Sequence, residues 1–235
     1  CLVTALVPAV FAADENEVQI LFLDTSDVHG QQFATDYTQD ASLSGTHYQS
    51  MTRVATYVKE QRAEYKNVFL SDSGDTIQGT PLTYYYAFYQ PDAQDPAMKA
   101  LRMMDYDLFV TGNHEYNYGL DILNRQLEDL TAPAAGGEDE VWVSMADYLD
   151  AATNSDESKD WAPWHGYDPY RIFDFDGVKV AVMGIGNPNI PKWDVPANWE
   201  GIYFANVIDT YLHYEEEMDE ASDLIVLYSH SGIDT

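Results

Sequence analysis

The sequence predicts an α/β fold with a mainly parallel central sheet. Short apolar runs, of the kind buried on both faces of a sheet, alternate along the chain with segments of helical spacing. Strands alternating with helices in this way form parallel sheets with the helices packed on the faces. The length fits: 235 residues, 46% of them hydrophobic, make one large domain or one and a half small ones.

The elements follow in order. Val18–Asp24 (VQILFLD) is a near-continuous apolar run and reads as the first buried strand. Ser50–Tyr65 carries Met51, Val54, Ala55 and Val58 at helical spacing, with Ser50 as N-cap. Asn67–Asp72 is a second strand and Asp95–Asp105 a second helix, with Pro96 in its first turn. Asp107–Gly112 is a third strand, Gly119–Leu130 a third helix and Glu140–Asp147 a fourth strand. Tyr170–Gly186 reads as a hairpin turned at Asp176-Gly177, an antiparallel addition to the sheet. Val207–Glu220 is a helix and Asp223–His230 a last strand. Ala132–Glu140 and Asp150–Pro169 read as surface loops. The aromatic run Thr83–Gln90 (TYYYAFYQ) suits packing better than a base-stacking platform. Trp161, Trp164 and His165 read as surface hydrophobes of an ordered loop, with a cover over the site as the alternative.

Charge narrows the function. There are 40 acidic against 11 basic residues, a net −29. Binding a nucleic-acid polymer through its phosphates needs basic patches, so that class is excluded. A small anionic substrate would also be repelled unless the site supplies its own positive charge, and a bound metal is the economical source. Acidic stretches such as Tyr214–Asp223 read as solvated helix face. The single cysteine, Cys1, excludes an internal disulfide and a cysteine-based zinc site.

The first residues, CLVTALVPAVFAADENE, look like the tail of a secretory signal peptide with cleavage after Ala12. We read 1–12 as a leader remnant and 13–235 as the folded domain of an exported protein, periplasmic, cell-surface or extracellular. A lipoprotein cysteine at Cys1 or a short buried strand are the alternatives. No later run approaches the roughly 18 apolar residues of a membrane span.

Four of the strands run into polar residues of one kind. The first ends in DTSDVHG, giving Asp27 and His29; the second in SDSGD, giving Asp75; the third in TGNHE, giving Asn113 and His114; the last in YSHSG, giving His230. Open α/β sheets bind ligands beyond the carboxyl ends of their strands, so these residues are expected to converge on one edge of the sheet. Asp27 and His29 alternate around Val28, which in an extended segment points both side chains the same way. Asp, Asn and His supply oxygen and imidazole donors that suit borderline divalent ions such as Mn, Fe or Zn. Asp75 has two carboxylate oxygens and suits a bridge between two ions, and two such ions clamp an in-line phosphoryl displacement. His114 fits a proton donor to the leaving oxygen. Each motif alone is weak. Their conjunction, each after a buried strand and in this order, is the signal.

With these motifs in place, the sequence resembles the calcineurin-like metallophosphoesterases. TSDVHG, DSGDTIQGTPL, TGNHEYNYGLDIL and VLYSHSG resemble the 5′-nucleotidase family and, within it, the 2′,3′-cyclic-nucleotide 2′-phosphodiesterase/3′-nucleotidase branch. GNPNIPKWDVP (186–196) resembles that branch too, and the likeness covers about residues 17–235. It implies a metallophosphoesterase-type α/β sandwich. It also implies that Asp27 and His29 hold one divalent ion, Asp75 bridges, Asn113 and His230 hold the second, and His114 is catalytic. The substrate would be a small nucleotide.

Two departures bear on this. 5′-nucleotidases proper have an Asp three residues after the catalytic His, where this chain has Asn117; the cyclic-phosphodiesterase branch also looks like HE-aromatic-N-YG. A neutral amide does not raise the basicity of His114 as a carboxylate would, which makes the ring the weaker acceptor and the easier donor. The family also supplies a downstream G-H-x-H segment and a nucleotide-binding C-terminal domain, and neither is within these 235 residues. The expectation is a fragment, weak or inactive alone, of an extracellular nucleotide-scavenging enzyme. A 5′-nucleotidase or nucleotide-sugar hydrolase is the alternative within the class, and a non-catalytic secreted binding module the alternative outside it.

Overall fold

The computed structural model describes residues 4–5, 17–35, 50–132, 140–154 and 160–231. Apart from Thr4 and Ala5, the leader 1–12 lies outside the described residues, as does Gly232.

The first half of the chain forms one sheet with helices on one side. β1 (Thr4–Ala5) pairs antiparallel with β2 (Leu21–Thr25). α1 (Met51–Glu64) leads to β3 (Val68–Asp72), and α2 (Pro81–Tyr89) and α3 (Pro96–Met103) lead to β4 (Leu108–Phe109). α4 (Leu120–Thr131) leads to β5 (Trp142–Val143). From β2 to β5 every pairing is parallel, with Leu23 opposite Leu70 and Phe109 opposite Val143. The expected strands and helices are all present here.

The second half builds another sheet. After β6 (Tyr148–Asp150) come β7 (Tyr170–Phe175) and β8 (Val178–Ile185), the expected hairpin. Asp176 and Gly177 turn it at φ 54° and 92°, the positive values a tight hairpin turn needs. α5 (Ile190–Trp193), β9 (Ile202–Phe204) and α6 (Val207–Ala221) precede β10 (Leu224–Ser229). β10 runs parallel to β8, and β9 pairs antiparallel with β6.

The core explains how the layers stack. Phe69 and Leu70 are neighbours on β3 and face opposite ways, as a strand requires. Leu70 joins Val54, Val58, Met98, Leu101 and Leu127 under the helices, whereas Phe69 joins Trp142, Val180, Val182 and Tyr228 between the sheets. Beyond the second sheet, Tyr214 and Met218 of α6 cover Ala181 and Met183. The result is an α/β sandwich: helices, sheet, sheet, helix. No helix among the described residues is long and apolar enough to cross a membrane.

Several local expectations are corrected. The last strand is not part of the parallel sheet of β2 to β5; it is an edge strand of the second sheet, with Leu224 and Leu227 exposed, and an apolar run reads the same in either sheet. Ser50 occupies the N-cap of α1, but its hydroxyl meets Thr52 Oγ1 at 3.1 Å and caps nothing. The aromatic run is α2, yet Thr83 and Ala87 are its buried residues. Tyr84, Tyr85, Phe88 and Tyr89 stay exposed and pack chiefly on one another and on Tyr118. Trp164 is buried in the core under the helices rather than on the loop surface, and Trp161 stacks on His213 at 4.3 Å.

One buried acid adds a pH dependence. Asp147, fully buried, accepts the Gly186 N–H on Oδ1 at 2.8 Å, while Oδ2 has no partner among the described residues. Burial outweighs that bond and raises its pKa from 3.8 to about 7. An acid whose pKa rises on folding lends most stability when protonated, and loses it as pH climbs through the folded value. Asp147→Asn should therefore gain stability relative to wild type, on the order of 3 kcal/mol, between about pH 5 and about pH 8. Urea unfolding at the two pH values measures this, and a difference that stays constant would contradict it.

Candidate metal centre

Every predicted site residue follows a strand: Asp27 and His29 after β2, Asp75 after β3, Asn113 and His114 after β4, His230 after β10. The strands come from both sheets, and their ends meet. Ligand atoms of His29, Asp75 and His114 lie within 4.8 Å of one another, as do those of Asp27, Asp75 and His230. Asp75 belongs to both groups. Asn113 is half-buried next to His114, whose N–H donates to Asp75 Oδ1 at 2.8 Å. The grouping separates Asp27 from His29, which the resemblance assigns to one ion; Nε2 of His29 is 3.9 Å from Asp27 Oδ1.

The backbone that delivers these side chains is not extended. Asp27, His29 and Asp75 have φ of 56°, 49° and 58°, in the left-handed region. This corrects the alternation argument for Asp27 and His29: their side chains converge through a turn. Such conformations cost about 1–3 kcal/mol each and persist where surrounding structure over-determines them. Here the β2–β3 pairing continues past the strands. Asp27 N–H donates to Gly74 O, His29 N–H to Asp75 O and Gly30 N–H to Thr76 O, at 3.0, 2.8 and 2.8 Å. On the other side the loops touch backbone to backbone. A Cβ at Gly74 would lie 2.1 Å from Gly112 N, and one at Gly112 would lie 2.3 Å from Asp75 Oδ1.

Glu115 holds these loops together. It is fully buried and accepts backbone N–H groups of Asp75, Thr76, Ile77 and Gly112 at 2.8, 2.7, 3.2 and 2.6 Å. Burial and the nearby Asp75 charge raise its pKa, against those hydrogen bonds. Glu115 lies within the TGNHE segment, and the sequence alone assigns it no role. The signal was an acid directly after the paired Asn and His, where the segment turns back into the core.

The imidazoles share one arrangement. Nδ1 of His29 is 2.9 Å from Gln78 O, and Nδ1 of His230 is 2.7 Å from Ser73 O. A carbonyl only accepts, so both rings carry a proton on Nδ1 and turn Nε2 to the cluster. Nε2 of His230 is 3.1 Å from Asp75 Oδ2. Metal-ligating histidines are held this way, with the outer N–H committed to an oxygen. Burial opposes a charge on His230, but Asp75 and the Ser73 carbonyl prevail and raise its pKa to about 9. Burial in turn raises the Asp75 pKa, and the hydrogen bonds from His230 and the His114 N–H more than reverse it, leaving it lowered. A carboxylate that attracts positive charge this strongly, shared by two groups of N and O donors, fits divalent cations. Nδ1 of His114 lies 2.6 Å from Asn117 Oδ1, and its ring meets that of His29 edge-on at 5.1 Å.

Comparison with known proteins bears on the fold and the family. No family model matches the chain. A 2′,3′-cyclic-nucleotide 2′-phosphodiesterase/3′-nucleotidase of Salmonella typhimurium is 32% identical over 99% of the chain, and one of Haemophilus influenzae 30% over 94%. The solved structure of the calcineurin-like phosphoesterase YfkN from Bacillus subtilis superimposes with a TM-score of 0.73 at 27% identity, covering 92% of this chain and 63% of that one. The chain belongs to the 5′-nucleotidase family of calcineurin-like metallophosphoesterases. It spans about a third of the length of the curated relatives it matches, 34% and 32% for the two named.

Glu115→Gln tests the clamp between the loops after β3 and β4. Gln has one acceptor oxygen and turns an NH₂ toward backbone N–H groups, leaving at least one buried donor unpaired. We expect a loss of about 1–3 kcal/mol in the unfolding free energy of the metal-free protein. Unchanged stability would contradict the clamp.

Proposed function

We propose that the protein hydrolyses nucleotide phosphoesters with two divalent cations, taking 2′,3′-cyclic nucleotides to 3′-nucleotides and these to nucleosides. The observation that carries the reading is Asp75, shared by two groups of potential metal ligands. Asp27, His29, Asp75, Asn113 and His230 would hold the ions, and their donor types suit Mn, Fe or Zn. Bound there, the cations supply local positive charge to the phosphate and a water activated at neutral pH. That local charge matters in a chain of net −29, whose overall field repels an anionic substrate. His114 serves as proton donor to the leaving 2′ oxygen.

The substrate class draws support from the names of the relatives, which are cyclic phosphodiesterases and 3′-nucleotidases at 30–32% identity. A Diplobatis ommata 5′-nucleotidase at 28% identity supports the alternative of 5′-monoester cleavage. Asn117, in place of the Asp of 5′-nucleotidases proper, favours the cyclic reading. Scavenging of nucleotides outside the cell is part of the proposal and rests on the leader-like residues 1–12.

Hydrolysis of 2′,3′-cAMP, 3′-AMP and 5′-AMP by the protein as encoded, with Mn or Zn supplied, tests the reading. We expect the first two to be cleaved faster than the third; 5′-AMP as the best substrate would overturn it. Asp75→Asn should lower metal-dependent turnover more than about 100-fold, and near-normal turnover would rule out the shared-ligand role.

A further inference from the structure

We propose that Asp194 fixes the tautomer of His114 through Asn117, so that the neutral ring carries its proton on Nδ1 and presents Nε2 to the substrate. Asp194 lies in the GNPNIPKWDVP stretch, immediately after α5 and far from His114 in sequence. Asn117 bridges the two, with Oδ1 2.6 Å from His114 Nδ1 and Nδ2 3.1 Å from Asp194 Oδ2.

The polarity of this chain of contacts follows from its far end. An imidazole nitrogen accepts or donates according to tautomer, and an amide is nearly the same shape either way round, so His114 and Asn117 alone leave the direction open. Asp194 closes it, because a carboxylate only accepts. Its Oδ1 is already engaged by the Val195 N–H at 2.7 Å and by Asn198 Nδ2 at 2.8 Å, which leaves Oδ2 facing Asn117. A reversed amide would set a carbonyl oxygen against that carboxylate. The Asn117 NH₂ therefore faces Asp194, its oxygen faces His114, and His114 must donate from Nδ1. The remaining nitrogen, Nε2, is the one that faces the substrate: it takes up a second proton from water, and the imidazolium then passes that proton to a leaving oxygen while Nδ1–H stays on Asn117. His29 and His230 likewise carry a proton on Nδ1, set there by backbone carbonyls.

This also accounts for the amide at position 117. An Asp there would face the Asp194 carboxylate across about the same gap, and two carboxylates in contact repel. Asn117 and Asp194 act together as an acid placed one side chain further from the imidazole. Asp194 is accordingly a positioning residue.

The consequence for turnover rests on the role proposed above for His114; the tautomer itself does not. Protein as encoded, metal-free and labelled with ¹⁵N-histidine, is measured by long-range ¹H–¹⁵N correlation at about pH 8.5, where an ordinary histidine of pKa about 6.5 is neutral. His114→Ala assigns the signal. We expect a protonated Nδ1 and a bare Nε2 in wild type, and a shift toward the Nε2–H form in Asp194→Ala and in the isosteric Asp194→Asn. In kinetics kcat should fall about 10- to 100-fold with KM little changed. Asn117→Asp should be impaired alone and recover in the Asn117→Asp/Asp194→Asn double variant. A wild-type His114 protonated on Nε2, or a tautomer unmoved in both Asp194 variants, overturns the inference while leaving cyclic-nucleotide hydrolysis standing. Failed hydrolysis with the tautomer as described overturns the proposed function alone.

Discussion

Four backbone N–H groups from two loops end on the carboxylate of Glu115. Most of the candidate site's geometry depends on that convergence. It ties the turn after β3 to the turn after β4 and brings Asp75 and His114 together. It also stabilises a left-handed backbone at Asp75 that would otherwise be strained. Gly74 and Gly112 complete the arrangement by removing the side chains that would keep the loops apart. A buried carboxylate is costly to desolvate, and the hydrogen bonds to both oxygens of Glu115 offset part of that cost, with burial still prevailing.

On this scaffold the imidazoles follow one logic. His29, His230 and His114 each set Nδ1 against a fixed oxygen and turn Nε2 inward, whether the oxygen is a backbone carbonyl or the Asn117 amide. The backbone carbonyls need no further support to define direction. The amide does, and Asp194 supplies it. One proton placement is thus reached by different chemistry, and the ring assigned to proton transfer is the one held by side chains.

The sequence carried the strands, the helices and the motif residues because each is local: an apolar run, a helical spacing, a polar pair at a strand end. What it did not carry is relational. β10 reads like any apolar strand of a parallel sheet, and only its pairing with β8 assigns it to a second sheet. The segment at Asp27 and His29 reads as extended because alternation favours that when the partner loop is unseen; the hydrogen bonds that their N–H groups donate to Gly74 O and Asp75 O decide otherwise. Glu115 lies inside the TGNHE motif, but its partners are backbone groups, which leave no mark in side-chain identity. Asp194 acts on residues distant in the chain, so only the fold joins it to Asn117. The α2 aromatics are exposed despite their apolar character, since helical spacing turns Thr83 and Ala87 inward instead.

In the proposed function one carboxylate, Asp75, serves two metal positions. Anomalous scattering from crystals of the protein as encoded, grown with Mn, tests it most directly. The account predicts two peaks about 3.5–4 Å apart, both within ligand distance of Asp75, one beside His29 and the other beside His230. A single peak, or two peaks of which only one contacts Asp75, would contradict it.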